Sequence, residues 1–211
     1  MSFFDYSVAP FRRKLNYLDL DPQPKFWPVS WSIGQYQFYS TLYTSLDLAF
    51  LLWGLLLIPM FVTPQFFAVS WKVQAVLWSG LSLIGLAAMV HLAQDWVKIK
   101  GVSWTLGWWV ILIFVGLFLT DLGIFLAWSG VLANLCSLWL GLIALGYGFT
   151  GLVVHSRAMI AMGFVHLGAI LVLPYVGVWQ FLFTGGVMEF SLILLAEFRW
   201  DIYLHTSRNN D

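Results

Sequence analysis

The stretch Gly163–Phe190, GFVHLGAILVLPYVGVWQFLFTGGVMEF, contains two apolar runs separated by the short segment Pro174-Tyr175-Val176-Gly177. A helix needs about 20 mostly apolar residues to cross a bilayer, and each run approaches this length together with its apolar flanks. Proline and glycine favour turns between such runs. The stretch therefore predicts two antiparallel membrane helices joined by a tight turn.

The rest of the chain repeats this pattern. Of its 211 residues, 61% are hydrophobic and 9% are charged, whereas a soluble domain carries about 25% charged residues. We expect an all-α, polytopic membrane protein with six spans in three hairpins, at 41–62, 73–93, 104–127, 131–154, 158–173 and 178–198. Residues 1–40 are then an interfacial or cytoplasmic arm, 41–198 the transmembrane domain and 199–211 a cytoplasmic tail.

Basic residues predict the orientation of these spans. Nine fall on one side of the predicted bilayer, and only Lys72 falls on the other; the nine are Arg12, Arg13, Lys14, Lys25, Lys98, Lys100, Arg157, Arg199 and Arg208. Lysine and arginine are enriched in cytoplasmic loops. We therefore expect both chain termini to lie on the cytoplasmic side.

Several classes of function are disfavoured. The formal net charge is zero, so bulk charge gives no reason to expect nucleic-acid binding. The single cysteine, Cys136, excludes an internal disulfide and a multi-cysteine metal site. No phosphate-binding loop, nucleophile elbow or dinucleotide fingerprint occurs in the sequence. We predict no catalytic residues and no metal site, and a non-enzymatic protein is the leading hypothesis.

Two titratable residues lie within the opening stretch, His166 before the turn and Glu189 after it. Counting 1.5 Å per helical residue places both near the middle of the bilayer. Ionisable groups at this depth are costly and are candidate functional sites. A His166–Glu189 pair could relay protons, bind a cofactor or hold two helices together, and the helix-holding role is the preferred interpretation.

Two further histidines, His91 and His155, are predicted at the cytoplasmic ends of the second and fourth spans, on the same side as Asp47. Together they could hold haem, or each could bind a chlorophyll magnesium, because imidazole is a common axial ligand. The alternative is that both are ordinary solvated residues. Haem and chlorophyll are the only candidate cofactors that this pattern indicates.

Two sets of residues predict contacts between helices. Asp121 and Asn134 flank the predicted turn between the third and fourth spans, where they could hydrogen-bond as a hairpin clasp. Small residues in the fourth span follow a spacing of three and four that places them on one helix face. Such a face lets another helix approach closely; these residues are Gly141, Ala144, Gly148 and Gly151.

Thirteen tryptophans are distributed in two ways. Trp71, Trp96, Trp104, Trp128 and Trp179 fall near predicted span ends, which is typical of an interfacial aromatic belt. Three others fall inside spans, where packing against lipid or helices is the preferred interpretation and contact with a pigment or quinone is the alternative; these are Trp53, Trp78 and Trp139.

The segments LTDLGIFLAW, LWLGLIALGYGFTGL, LPYVGVWQFLFTGG and LLAEFRWDI resemble an uncharacterised six-helix integral-membrane family of cyanobacteria and plastids. The resemblance covers roughly residues 70–202. It implies residence in the thylakoid or plasma membrane of a photosynthetic organism, and it implies no particular activity.

Three functions remain open on these observations. The first is a subunit or assembly factor of a larger photosynthetic or respiratory membrane complex, because the loops are short and one helix face is built for close packing. Its partner would be another membrane protein or a second copy of this chain. The alternatives are a proton-coupled transporter or channel that uses His166 and Glu189, and a haem or chlorophyll carrier.

Overall fold

A computed structural model describes residues 3–4, 6–14, 26–33 and 36–201. Six helices are long and apolar enough to cross a membrane, the last two counted with adjoining 3₁₀ turns at Leu173–Tyr175 and Gly177–Trp179. They are α1 (Ser45–Phe66), α2 (Trp71–Ile99), α3 (Trp104–Phe125), α5 (Leu135–Val153), α6 (Arg157–Val172) and α7 (Gln180–Glu197). A short helix, α4 (Ser129–Leu132), precedes α5. The prediction of a six-span helical membrane protein is confirmed.

The predicted N-terminal arm contains strands that the sequence analysis did not anticipate. β1 (Phe11–Arg13) pairs antiparallel with β4 (Phe198–Trp200) from the other end of the chain. β2 (Phe26–Ile33) and β3 (Tyr36–Thr44) form an antiparallel hairpin with an irregularity after Trp31. The described part of the arm is thus partly strand, and the boundary predicted at residue 40 falls inside β3.

A capping box fixes the start of the first span. The backbone N–H of Asp47 donates to Thr44 Oγ1 (3.2 Å), and the backbone N–H of Thr44 donates to Asp47 Oδ2 (2.8 Å). This reciprocal pair satisfies two of the backbone donors that a helix N-terminus leaves open. The helix begins at Ser45, four residues after the predicted start, because the cap ends the extended strand there.

Prolines inside α1 tie it to α2. Pro64 has no N–H to donate to the carbonyl oxygen of Met60, one turn earlier in the helix. Two side chains of α2 donate to that oxygen instead, Trp78 Nε1 at 2.5 Å and Gln74 Nε2 at 3.3 Å. A backbone carbonyl oxygen that has no hydrogen-bond donor costs free energy in the hydrocarbon region of a membrane. The proline therefore requires a polar neighbour on α2, and it receives one.

Helices that are adjacent in sequence are not always the closest in space. The most extensive contacts join α5 with α6 and α1 with α7, while α6 and α7 touch much less despite their short link. The α1–α7 contact uses glycines: a Cβ at Gly185 would lie 2.7 Å from Phe61 Cβ, and one at Gly54 would lie 2.8 Å from Glu189 Oε1. The turn after α6 therefore connects two helices whose main partners are elsewhere.

Segments from both ends of the chain meet at one end of the bundle, which we call the terminal end. Lys14 Nζ forms a salt bridge with Asp47 Oδ2 (2.5 Å) and also donates to the carbonyl oxygen of Ala196. Trp200 is buried, and the backbone N–H of Asp201 donates to the carbonyl oxygen of Pro10. Residues 199–201 are thus part of the folded body rather than a tail, because β4 continues directly from α7; residues 202–211 lie outside the described residues.

Candidate functional site

An internal cavity of about 130 Å³ lies between the membrane helices. All six long helices and β4 contribute to its wall, and none of its lining residues is exposed. On α2 the lining extends from Trp78 to Val97, which is about 28 Å at 1.5 Å per residue. The hydrocarbon core of a bilayer is about 30 Å thick. The residues that line the cavity therefore extend over most of the depth of the membrane.

Apolar side chains form most of its wall, and ten of the 28 lining residues are aromatic. Six tryptophans line it, together with several phenylalanines and aliphatic residues; the six are Trp53, Trp78, Trp96, Trp109, Trp139 and Trp200. No lysine, arginine, histidine, aspartate or glutamate of the described residues is among the lining. Buried charge would be costly in such surroundings. The cavity is thus suited to an uncharged, apolar occupant.

Glycines on neighbouring helices seat three of these rings. A Cβ at Gly85 of α2 would lie 3.0 Å from Trp53 Cζ2, and one at Gly116 of α3 would lie 2.8 Å from Trp139. A third, at Gly146 of α5, would lie 2.5 Å from Trp109. Each ring thus rests on a helix backbone that has no side chain at that point.

The glycines leave room for the three tryptophan rings in the interior of the bundle. This pairing of glycine with tryptophan was not predicted from the sequence. The available signal was the set of glycines in spans that otherwise hold bulky residues. A glycine alone does not identify the tryptophan that will cover it.

Among four of the cavity tryptophans, one differs in its hydrogen bonding. Trp109 Nε1 donates to Thr150 Oγ1 (3.0 Å), and Trp139 Nε1 donates to Thr120 Oγ1 (3.1 Å). Trp78 donates to Met60 as described above. The indole N–H of Trp53 is buried and has no hydrogen-bond partner among the described residues. The same holds for the hydroxyl of Ser82, another cavity residue, which is 1% exposed.

His166 and Glu189 do not form the predicted pair. His166 is fully buried in α6, with Nδ1 2.8 Å from the carbonyl oxygen of Met162 and its ring 5.3 Å from that of Tyr147 on α5. Glu189 is half-buried and faces Gly54 of α1. His166 Nε2 and Glu189 Oε2 each lack a hydrogen-bond partner among the described residues. The pair fails because α7 turns this part of its surface toward α1 rather than α6.

His91 and His155 lie in different surroundings. His91 is exposed on α2, and the helix continues beyond it to Ile99, so this residue does not close the span as predicted. His155 adopts a left-handed conformation (φ 53°) two residues after the end of α5, and its ring lies 4.3 Å from that of Phe3. The N–H of Ser156 then reaches back to the carbonyl oxygen of Gly151 (2.8 Å), as in a Schellman turn. His155 thus has a defined place in a helix-ending turn.

The clasp predicted between Asp121 and Asn134 is not formed. Asp121 Oδ2 accepts a hydrogen bond from Ser79 Oγ on α2 (2.9 Å). Asn134 Nδ2 donates to the carbonyl oxygen of Gly130 (2.9 Å), within its own turn. The predicted hairpin assumed that the chain passes straight from α3 into α5. Instead, the short helix α4 lies between Asp121 and Asn134, and each residue has a different hydrogen-bond partner.

The small-residue stripe on α5 faces α6. A Cβ at Gly163 of α6 would lie 3.1 Å from the carbonyl oxygen of Ala144 and 3.3 Å from the backbone nitrogen of Gly148. A Cβ at Gly151 would meet Ile160, and one at Gly141 would only reach ordinary contact with Ile170. The partner of the stripe is therefore a helix of this same chain, so the stripe is not a free docking face for another protein.

The C-terminal strand contributes to the cavity wall at the terminal end of the bundle. Trp96 and Trp200, which both line the cavity, have ring centroids 5.9 Å apart. Asp201 follows Trp200 and accepts hydrogen bonds from Ser156 Oγ (2.9 Å), Arg157 Nε (2.9 Å) and the backbone N–H of Ala158 (3.0 Å). This network anchors β4 to the start of α6 and so holds Trp200 in place.

No group of three or more His, Cys, Asp or Glu side chains suited to a metal ion occurs in the described ranges. No family model matches the chain, and the searches of curated proteins and of solved structures also found no significant match.

Proposed function

We propose that the protein binds a long, uncharged, apolar molecule within the membrane. The observation that carries this proposal is the apolar cavity, rich in aromatic residues, whose lining residues extend over most of the bilayer depth. Ligand sites are typically concave and apolar, with a small number of polar groups that orient the ligand. A bundle that encloses such a space can take a lipophilic molecule from the bilayer and hold it away from lipid.

This proposal retains part of the carrier hypothesis and changes its chemistry. A haem or chlorophyll carrier needs an axial ligand such as histidine, and His91, His155 and His166 do not line the cavity. The transporter hypothesis depended on the His166–Glu189 pair, which is not formed. An uncharged ligand held by ring contacts fits the described residues better than either.

A cavity-filling variant tests the proposal. Ala93 is 1% exposed and lines the cavity, whereas Ala87 lies on the same helix and is exposed. The protein is purified in mild detergent as wild type, Ala93→Phe and Ala87→Phe, and organic extracts are compared by mass spectrometry. We expect a lipophile that is enriched in wild type and Ala87→Phe and reduced about tenfold in Ala93→Phe, corresponding to about 1.4 kcal/mol of binding. Identical extracts from all three proteins would contradict the proposal.

A second candidate function is a subunit or assembly factor of a larger photosynthetic or respiratory complex, in a thylakoid or plasma membrane. The β2–β3 hairpin favours it. Seven of its 17 strand residues are aromatic, and among the described residues β3 contacts mainly α1, with a hydrogen bond from Tyr43 to Glu197 of α7. An isolated two-stranded hairpin is marginally stable in water, and its open edges can pair with another chain. The hairpin thus offers a partner protein a place to bind.

Native electrophoresis of gently solubilised membranes tests this candidate. The full chain should migrate with a much larger complex. A variant in which residues 26–42 are replaced by a flexible linker of equal length should be released from that complex while remaining in the membrane. Migration of the full chain only as a monomer or small homo-oligomer would count against the candidate.

A further inference from the structure

Two unpaired hydrogen-bond donors lie on one wall of the cavity. Eight buried side-chain polar atoms have no partner among the described residues, and two of them belong to residues that line the cavity. These two are Trp53 Nε1 on α1 and Ser82 Oγ on α2. Both residues belong to the helix pair α1–α2 and lie in the wall of the cavity.

The two side chains are close neighbours. A Cβ at Gly85 would lie 3.1 Å from Trp53 Cε2, the ring carbon bonded to Nε1. Ser82 precedes Gly85 by three residues, so both positions lie on the same face of α2, one turn apart. The indole of Trp53 therefore crosses α2 within one helical turn of the serine hydroxyl. A single polar group in the cavity can lie within reach of both residues.

Several tryptophans and a serine elsewhere in the bundle do satisfy their hydrogen bonds. Trp78, Trp109 and Trp139 all donate to protein oxygens. Ser191, which is as buried as Ser82, donates to the carbonyl oxygen of Val187 one turn earlier (3.0 Å). A buried donor without an acceptor costs free energy, and buried tryptophan N–H groups usually find a partner. Among the described residues, Trp108 Nε1 is also unpaired but does not line the cavity. Trp53 and Ser82 are unpaired and occur together in the cavity wall.

The chemistry of the site restricts what can bind there. An indole N–H only donates, so its partner must be an acceptor. The lining has no charged side chain among the described residues, so a phosphate or carboxylate would be buried without a counter-charge. Flat rings pack favourably against tryptophan and phenylalanine. An uncharged carbonyl oxygen on a flat, conjugated ring meets all three conditions.

We propose that Trp53 and Ser82 hydrogen-bond a carbonyl oxygen of a quinone-like ligand, whose apolar chain follows the cavity along α2. This inference rests on the proposed function, because it specifies the occupant of the same cavity. The two donors orient the ring near the middle of the membrane, and the apolar wall accommodates the chain. Specificity then comes from the carbonyl, since a hydrocarbon of the same shape leaves both donors unpaired.

The test compares two probes that differ in the carbonyl groups: 2-decyl-1,4-benzoquinone and decylbenzene. Their affinities are measured by calorimetric titration in detergent for wild type, Ser82→Ala, Trp53→Phe and the control Ser191→Ala. One lost hydrogen bond should raise the Kd for the quinone about two- to tenfold in each of the first two variants. The affinity for decylbenzene should stay the same in Ser82→Ala, and Ser191→Ala should bind both probes like wild type.

Infrared spectroscopy supplies a second readout that a general loss of stability would not imitate. The carbonyl stretch of the bound quinone, labelled with ¹³C, should shift to lower frequency in wild type and return toward its free value in Trp53→Phe. Unchanged quinone affinity and an unshifted carbonyl band in both variants would overturn the assignment of the donors, while saturable binding blocked by Ala93→Phe would still support the cavity. If neither probe binds wild type, the proposed function itself fails, and this inference fails with it.

Discussion

Gly151 shows how much a single residue position contributes to the contact between α5 and α6. A Cβ there would lie 2.9 Å from the backbone nitrogen of Ile160 and 3.0 Å from Met159 Cβ. Backbone atoms cannot move aside as the end of a flexible side chain can. Gly148 belongs to the same stripe, yet a Cβ there would meet nothing within 4 Å. The two glycines are one turn apart on one helix and differ in what they tolerate.

We expect Gly151→Ala to lower stability by about 1–3 kcal/mol, the usual cost of overpacking a tight contact. Gly148→Ala should be neutral or slightly stabilising, because alanine is the better helix former. The midpoints of thermal unfolding in detergent measure both effects. Equal midpoints for the two variants would show that the close approach of α6 at Gly151 does not limit stability.

The facing direction of polar residues was the least predictable feature at this scale. Depth along a helix follows from counting residues, and it placed His166 and Glu189 well inside their helices. Rotation about the helix axis does not follow, because both lipid and the protein interior are apolar and the sequence carries little amphipathic contrast. Glu189 faces Gly54 and Asp121 faces Ser79, and neither partner could be chosen from sequence alone.

Among the structural elements, the first turn of α6 depends on a residue 43 positions away from it. The carboxylate of Asp201 accepts the backbone N–H groups of Arg157 and Ala158, which an isolated helix would leave open. It also pairs with the guanidinium of Arg157, which in turn donates to the carbonyl oxygen of Val8. Strand β4, helix α6 and the N-terminal segment are therefore joined at one carboxylate.

Replacing this carboxylate should loosen all three. We expect Asp201→Asn to reduce stability by about 2 kcal/mol, because the amide removes the charge that pairs with Arg157 and weakens hydrogen bonds that a carboxylate accepts. Amide hydrogen exchange should accelerate in the first turn of α6 and in β1, and remain slow in the middle of α5. The control Asp95→Asn alters an exposed carboxylate of α2 and should leave exchange unchanged. Similar exchange at β1 in both variants would show that Asp201 does not hold the strands.

Helices and strands were predictable from the sequence where a single property, such as apolar length, determines them. Apolar length located all six spans, and their observed limits mostly differ from expectation by a few residues. The β1–β4 pair was missed because it joins the two ends of the chain. The alternating polar and apolar residues of β2 and β3, and the Thr44–Asp47 spacing, were the signals available in the sequence. They were outweighed by the aromatic content of the segment, which also fits an interfacial position.

At the scale of the whole molecule, the cavity could not have been predicted from the sequence. Its wall takes residues from six helices and a strand, and each of them has the composition of an ordinary membrane helix. The tryptophans inside spans were noted with contact to a pigment or quinone as the less favoured interpretation. These tryptophans line the same cavity because of the way the helices pack against each other, and apolar composition does not determine that packing.

The contact between α1 and α7 also has a consequence for biosynthesis. A ribosome adds about 5–20 residues per second, so α7 follows α1 by on the order of 10 s. During this time the face of α1 around Gly54 has no partner, and the cavity lacks one of its walls. The nascent bundle must remain open in the membrane until the last helix is released. A chain truncated before α7 would therefore expose the same unsealed face indefinitely, which is the kind of surface that membrane quality-control proteases degrade.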